Sequence, residues 1–215
     1  MKYRLIVFDW DGTLVDSHSA IAECMQEASR ELGLPIPERE RATHVIGLGL
    51  HDAMRIVAPE LPAHRYPQFI DAYRRNFRAR EDAMQPFAGM RDLLEWLRKD
   101  RVLAIATGKS RRGLDRALQA SGLAGHFSSS RCADETQPKP HPAMLLELME
   151  ELAVPSAEAL MIGDTSHDLA MAGAAGVAGV AVSYGAHAKE ALLACRPLAC
   201  LANVEELRQW LTWNG

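Results

Sequence analysis

The chain has 215 residues, 48% of them apolar, and a formal net charge of −4. That supplies a core for one large domain, or for a core domain plus a smaller insertion, and leaves no basic footprint for nucleic acid. No stretch reaches the about 18 uninterrupted apolar residues of a membrane span, and residues 1–4 run into an apolar segment without a small-residue cleavage site, so neither a membrane anchor nor a signal peptide is expected. Cys24, Cys132, Cys195 and Cys200 form no C-x-x-C pair. Scattered cysteines of this kind read as thiols in a reducing compartment, and a cytoplasmic location is the expectation.

The first element in chain order is the apolar run 5–8, which reads as a buried strand. Directly behind it stand Asp9-Trp10-Asp11-Gly12-Thr13. Side chains at i and i+2 of an extended segment point the same way, which would crowd Asp9 and Asp11 into one volume. Two carboxylates about 4 Å apart repel by roughly 4 kcal/mol at an effective dielectric near 20. A proton, a cation or a basic side chain must relieve that. Asp11-Gly12 is also a hairpin signal, but residues 15–22 show no alternation and lead into helical spacing at Ile21, Met25, Ala28 and Leu32. Strand, tight loop and helix is the more economical reading.

Residues 17–83 then carry helical patterns only, about 18–33, 38–45, 50–58 and 64–80, punctuated by Pro35, Pro37, Pro59 and Pro62. Further along, short apolar runs at 102–106, weakly at 127–129, at 159–162 and at 177–182 alternate with amphipathic stretches at about 90–99, 111–121, 142–152 and 167–175. A last helix is expected at about 203–213. Strands alternating with helices predict an α/β fold, a doubly wound parallel sheet. The helical block predicts an inserted all-helical domain over 17–83, with residues 1–16 and 84–215 forming the core.

Polar chemistry follows the strands. Thr107-Gly108-Lys109-Ser110 offers a hydroxyl and free N–H groups at a helix start, which either bind an anion or merely cap. Lys139 lies between Pro138 and Pro140, whose rings restrict the backbone around it. In Gly163-Asp164-Thr165-Ser166-His167-Asp168, the second acid falls in the first turn of a helix, where acids often only face the dipole. Together these fragments fall beyond the carboxyl ends of strands, where an open α/β sheet binds ligands. Oxygen-only donors favour Mg²⁺.

On these residues the chain resembles the haloacid dehalogenase-like superfamily with a helical cap, in particular its phosphoglycolate-phosphatase-like phosphatases. The matching motifs are Asp9-x-Asp11-Gly12-Thr13-Leu14, Thr107-Gly108, Lys139-Pro140-x-Pro142 and Gly163-Asp164-Thr165-x-x-Asp168, in family order over nearly the whole chain. The resemblance implies Asp9 as a nucleophile that forms an aspartyl-phosphate, Asp11 as acid and then base, and Lys139 as the neutralising cation. It implies phosphoryl binding by Thr107, Gly108 and Lys139. Mg²⁺ would be held by Asp9, the Asp11 carbonyl and Asp164, with Asp168 in a water-mediated or supporting place. The helical block would be a cap, with Gly47 and Gly49 of the Ile46–Gly49 stretch facing substrate. Arg55, Arg74, Arg75, Arg78 and Arg80 could grip a second anion, while His18, His44, His51 and His141 read as ordinary surface or loop residues. The expected partner is a small phosphorylated metabolite, phosphoglycolate among the candidates, acted on by a monomer or homodimer. A phosphomutase resembling β-phosphoglucomutase, or a phosphate-ligand-binding protein without turnover, are the alternatives.

Overall fold

The computed structural model, which describes residues 2–215, sets the run Leu5–Phe8 in the middle of a parallel sheet. All residues of this strand, β1, are buried, as an unbroken apolar run requires when both faces are covered. The other strands are β2 (Val102–Thr107), β3 (Ser129–Cys132), β4 (Ala159–Gly163), β5 (Ala178–Val182) and β6 (Cys200–Leu201). They pair in parallel in the order β3-β2-β1-β4-β5-β6. The helices are α1 (His18–Glu31), α2 (Arg39–His44), α3 (Leu50–Val57), α4 (Tyr66–Arg78), α5 (Met90–Leu97), α6 (Arg111–Ser121), α7 (Ala143–Glu151), α8 (Ser166–Ala174), α9 (Lys189–Ala194) and α10 (Val204–Asn214).

The two-residue period of the strands splits the core. Ile6, Phe8, Ile105 and Ile162 share a cluster with Leu93 and Leu94 of α5 and Leu207 and Leu211 of α10. Leu5, Val7, Ala104 and Met161 point the other way, onto Leu145 and Leu148 of α7 and Met171 of α8. Full burial of each large side chain contributes about 1.5–3 kcal/mol, an upper range because unfolded chains already bury some surface. Chain order reverses between β1 and β4, so the loops after these two strands meet at the switch point of the sheet.

Helices α1–α4 build a cluster of their own around Met25, Met54, Val57 and Phe69. The two connections to this insertion run side by side. Val15 pairs antiparallel with Pro86, the Asp16 N–H donates to the Gln85 carbonyl at 3.0 Å, and the Phe87 N–H donates to the Leu14 carbonyl at 3.1 Å.

Three details differ from the sequence reading. The third strand lies at Ser129–Cys132, not at 127–129; it is an edge strand, with only Cys132 fully buried, so no apolar run marks it. Strand β6 has two residues, too few for a pattern. The six-residue helix α9 follows a loop in a stretch read only as strand and connection.

Candidate active site

Asp9 is the first residue beyond β1, and its N–H donates to the Ile162 carbonyl of β4 at 3.0 Å. Its side chain is therefore held at the switch point, 1% exposed. Lys139, equally buried, lies with Nζ 2.7 Å from Asp9 Oδ1 and 2.7 Å from Asp168 Oδ1. These are close ion pairs whose angles fall outside hydrogen-bond geometry, and Asp9 Oδ2 has no hydrogen-bond partner among the described residues. Asp164 completes the group. Its Oδ1 accepts from the Thr13 hydroxyl at 2.7 Å and its Oδ2 from the Ala186 N–H at 2.7 Å.

Local structure fixes each acid. Asp168 occupies the third position of α8 in a capping box: its Oδ2 accepts from the Thr165 N–H (3.0 Å) and hydroxyl (2.7 Å), and Thr165 Oγ1 accepts from the Asp168 N–H. One carboxylate thus caps a helix with one oxygen and holds Lys139 with the other. Gly12 adopts φ +80°, and a Cβ there would lie 2.2 Å from Asp164 Oδ2. Only glycine fits that backbone and that approach. The Asp11-Gly12 pair therefore shapes a loop that leads into α1, not a hairpin.

Asp11 departs from the expectation. The strand ends at Phe8, so the alternation that would align Asp9 with Asp11 does not continue. Asp11 Oδ1 accepts from the Ser17 hydroxyl at 2.7 Å and lies 3.0 Å from Lys109 Nζ. Each carboxylate has its own lysine, where the sequence reading supplied one ammonium for both. Lys109 stands next to Thr107-Gly108; that adjacency is the signal by which it could have been found.

The electrostatics are unbalanced. Carboxylate oxygens of Asp9, Asp164 and Asp168 lie within 4.8 Å of one another, so each ionised pair repels by roughly 3 kcal/mol or more at an effective dielectric of 20. Three acids face one ammonium. Burial, outweighing the attraction of Lys139, holds the Asp9 carboxyl well above its ordinary range, with Asp168 and Asp164 adding to the effect. Burial and the neighbouring Asp168 push Asp164 up to about 7. Burial alone would depress Lys139, but Asp168 and Asp9 reverse that and raise it. An oxygen-only pocket whose three acids, once ionised, exceed its one ammonium by two charges, with an unpartnered buried carboxylate oxygen, fits a hard divalent cation.

Thr107 ends β2 and is buried; its Oγ1 accepts from the Lys109 N–H at 3.2 Å. The pairing Phe8↔Ile105 puts Thr107 and Gly108 at the same rim as Asp9. The insertion closes over this rim. A Cβ at Gly108 would lie 2.5 Å from the Leu48 carbonyl and 2.6 Å from that of Gly47. Gly47 (φ +90°) faces Thr165, and Gly49 faces Ala133 and Pro138. A cavity of about 320 Å³ lies between insertion and core, reaching the rim at Asp11, Gly108 and Lys109. Asp9 itself does not line it.

Of the five arginines noted in the sequence, Arg74 alone lines that cavity. Arg75 pairs with Glu31 (2.8 Å) and Arg80 with Glu27 (2.6 Å), while Arg55 and Arg78 are exposed. His18 lies 3.4 Å from Asp16, His51 packs edge-on against Tyr66, and His141 is exposed. His44 is less ordinary than expected. Its carbonyl accepts from His167 Nε2 at 2.8 Å and from His187 Nε2 at 3.1 Å, joining the insertion to the core. His187 Nδ1 accepts from the Ser166 N–H, so that ring has no lone pair left for an ion. Burial lowers both core histidines, His187 to about 4, with His167 adding to the effect there. Residues 44, 167 and 187 share no sequence pattern that would have revealed the contact.

The sheet order and the acid–lysine cluster define a class: an α/β enzyme with its acidic centre at the switch point. The family model for haloacid dehalogenase-like hydrolases matches residues 6–182, and the chain belongs to that family, among its phosphoglycolate-phosphatase-like phosphatases. A Dickeya dadantii protein described as "probable phosphatase IndB" is 35% identical over 209 residues, covering 94% of this chain and 91% of that protein. The phosphoglycolate phosphatase of Pseudomonas savastanoi pv. phaseolicola is 34% identical over 191 residues, covering 85% and 70%. A crystal structure of a hydrolase from Pseudomonas syringae, 21% identical, superposes with a TM-score of 0.90 over 100% of both chains and shares the fold.

Proposed function

We propose that the protein hydrolyses a small phosphomonoester in two steps through an aspartyl-phosphate on Asp9, with Mg²⁺ as cofactor. The observation that carries this reading is the buried Asp9 carboxylate, with Oδ1 on Lys139 and Oδ2 unpartnered, at the sheet's switch point beside Asp164. Asp9 and Asp164, with the Asp11 carbonyl as the family resemblance implies, would hold the ion. Asp168 has both oxygens engaged by Lys139 and Thr165 and acts from outside. A bound divalent cation would offset the surplus negative charge and polarise phosphoryl oxygens.

In the first step an Asp9 oxygen attacks phosphorus, the bond to the leaving oxygen breaks, and Asp11 protonates that oxygen. In the second, Asp11 takes a proton from water, the water oxygen attacks phosphorus, the bond between phosphorus and the Asp9 oxygen breaks to restore the carboxylate, and inorganic phosphate leaves. Lys139 keeps Asp9 in place and opposes charge on the phosphoryl group. Thr107 and the Gly108 N–H bind phosphoryl oxygens, while Lys109 and Ser17 aim Asp11. The insertion acts as a cap: its Gly47–Gly49 loop, seated on Gly108, keeps water out of the first step and must lift for entry and for the second.

The demand is large. Phosphate monoesters call for enhancements of up to ~10²¹, roughly 28 kcal/mol, and positioning supplies about 7–11 kcal/mol; charge stabilisation and the covalent route must supply the rest. The test is phosphate release from a panel of phosphorylated metabolites. Turnover that stops with EDTA and returns with Mg²⁺ is expected; no release from any ester, or release indifferent to metal, would refute the proposal.

A further inference from the structure

The cavity beside the phosphoryl rim has a chemistry that narrows the leaving group. Its volume of about 320 Å³ equals roughly ten waters of liquid, and falls at the lower end of small-molecule pockets. The wall contributed by the insertion is mostly apolar, with Met25, Ile46, Leu48, Ile70, Tyr73 and Phe77 facing the cavity beside the polar His51, Asp52 and Arg74. Tyr73 and Phe77 stack at 5.8 Å with 28° between their planes, an aromatic pair within that wall.

Two of the three Lys and Arg side chains of the wall are paired, and the lining holds as many aspartates as such cations. Lys109 is paired with Asp11 at 3.0 Å and sits 4.5 Å over the Phe77 ring. Arg116 lies 3.3 Å from Glu81. Arg74 is exposed, and Asp52 and Asp134 line the same cavity with opposite charge. A second anionic group on the substrate would leave water for a wall with no surplus positive charge, which is unfavourable without a partner. An apolar face would instead replace water against Ile70, Tyr73 and Phe77.

We propose that the substrate is a phosphomonoester whose leaving group is uncharged and presents a planar, largely apolar ring to the Tyr73–Phe77 wall, in place of a short chain ending in a carboxylate or second phosphate. This rests on the phosphatase reading for the position of the phosphate, and its test is separable from turnover. Benzylphosphonate and 2-carboxyethylphosphonate, neither of which can be hydrolysed at the P–C bond by this chemistry, are titrated calorimetrically into the protein with Mg²⁺. Benzylphosphonate should bind at least tenfold more tightly. In Tyr73→Ala that ratio should fall at least threefold, and Ile70→Arg, which adds a cation to the wall, should shift it toward the carboxylate.

Equal or tighter binding of the carboxylate ligand to the unaltered protein overturns the inference, as does binding of neither. Hydrolysis of p-nitrophenyl phosphate, followed in parallel, separates the two readings. Turnover with carboxylate preference removes the ring-binding inference alone. Ring preference without turnover of any ester removes the phosphatase reading and leaves the cavity's selectivity standing.

Discussion

Lys139→Met keeps the length of the side chain and removes its charge. The ammonium lies 2.7 Å from Asp9 and 2.7 Å from Asp168, and each contact is worth roughly 6 kcal/mol of Coulomb attraction at an effective dielectric of 20, before desolvation is subtracted. Removing one partner of a buried pair typically costs about 3–5 kcal/mol, because the charge left behind has neither water nor partner. Here three carboxylates are left together. Metal-free Lys139→Met should therefore lose about 3–5 kcal/mol at pH 8. The sign with pH follows from protonation: acids raised in the folded state bind protons that the unfolded chain has released, so stability is greatest at low pH and falls as pH rises through their folded values. The variant's penalty should shrink clearly at pH 5, where protons can take over the role of Lys139. Urea unfolding followed by circular dichroism, in EDTA at both pH values, measures this. A variant as stable as the parent at pH 8, or equally weakened at both, would show that Lys139 is not the counter-charge of this cluster.

Three further outcomes are expected. Burial and Asp168 push Asp164 up to about 7 in the metal-free protein, so the stability its proton supplies is present below the ordinary carboxylate range and is lost as pH rises through about 7. Mg²⁺ must displace that proton; its affinity should rise with pH through about 7, by about tenfold per pH unit for each proton displaced, and calorimetry showing a flat profile would contradict the assignment. Lys109→Met removes the cationic partner of Asp11, leaving the Ser17 hydroxyl, while keeping an apolar side chain against Phe77. It should lower kcat by about 10²-fold through misplacement of Asp11, with KM changed much less, and a mainly KM effect would give Lys109 a binding role instead. Gly108→Val forces the Leu48 and Gly47 carbonyls away from the rim; kcat/KM should fall at least tenfold while the melting temperature moves by only a few degrees, and unaltered kinetics would mean that this closed contact plays no part in turnover.

The sequence was most informative where a segment had to be buried on both sides or carry unusual polar residues. The run 5–8, the loop that follows it and the turn 163–168 were readable because a continuous apolar strand ending in acids has few bland explanations. Strand β3 and strand β6 were not, since an edge position and a length of two residues leave no apolar pattern. At the site, the meeting of Lys139 with Asp9 follows from parallel topology, but the second ion pair, Lys109 with Asp11, depends on where the backbone turns after Phe8. Asp168 combines the two roles weighed for it, helix cap and site residue, because its two oxygens face different partners. The arginines of the insertion were ambiguous by type alone: Glu27 and Glu31 engage Arg80 and Arg75, and neighbours 44 or more positions apart carry no local signature.

Asp9 is the group that we propose receives the phosphoryl moiety. Rapid mixing with a phosphomonoester labelled in that group, acid quenching and peptide mapping tests it most directly. Label on the peptide carrying Asp9, absent from Asp9→Asn together with turnover, is the predicted result. Stable folding of Asp9→Asn with turnover retained, or label on another residue, would contradict it.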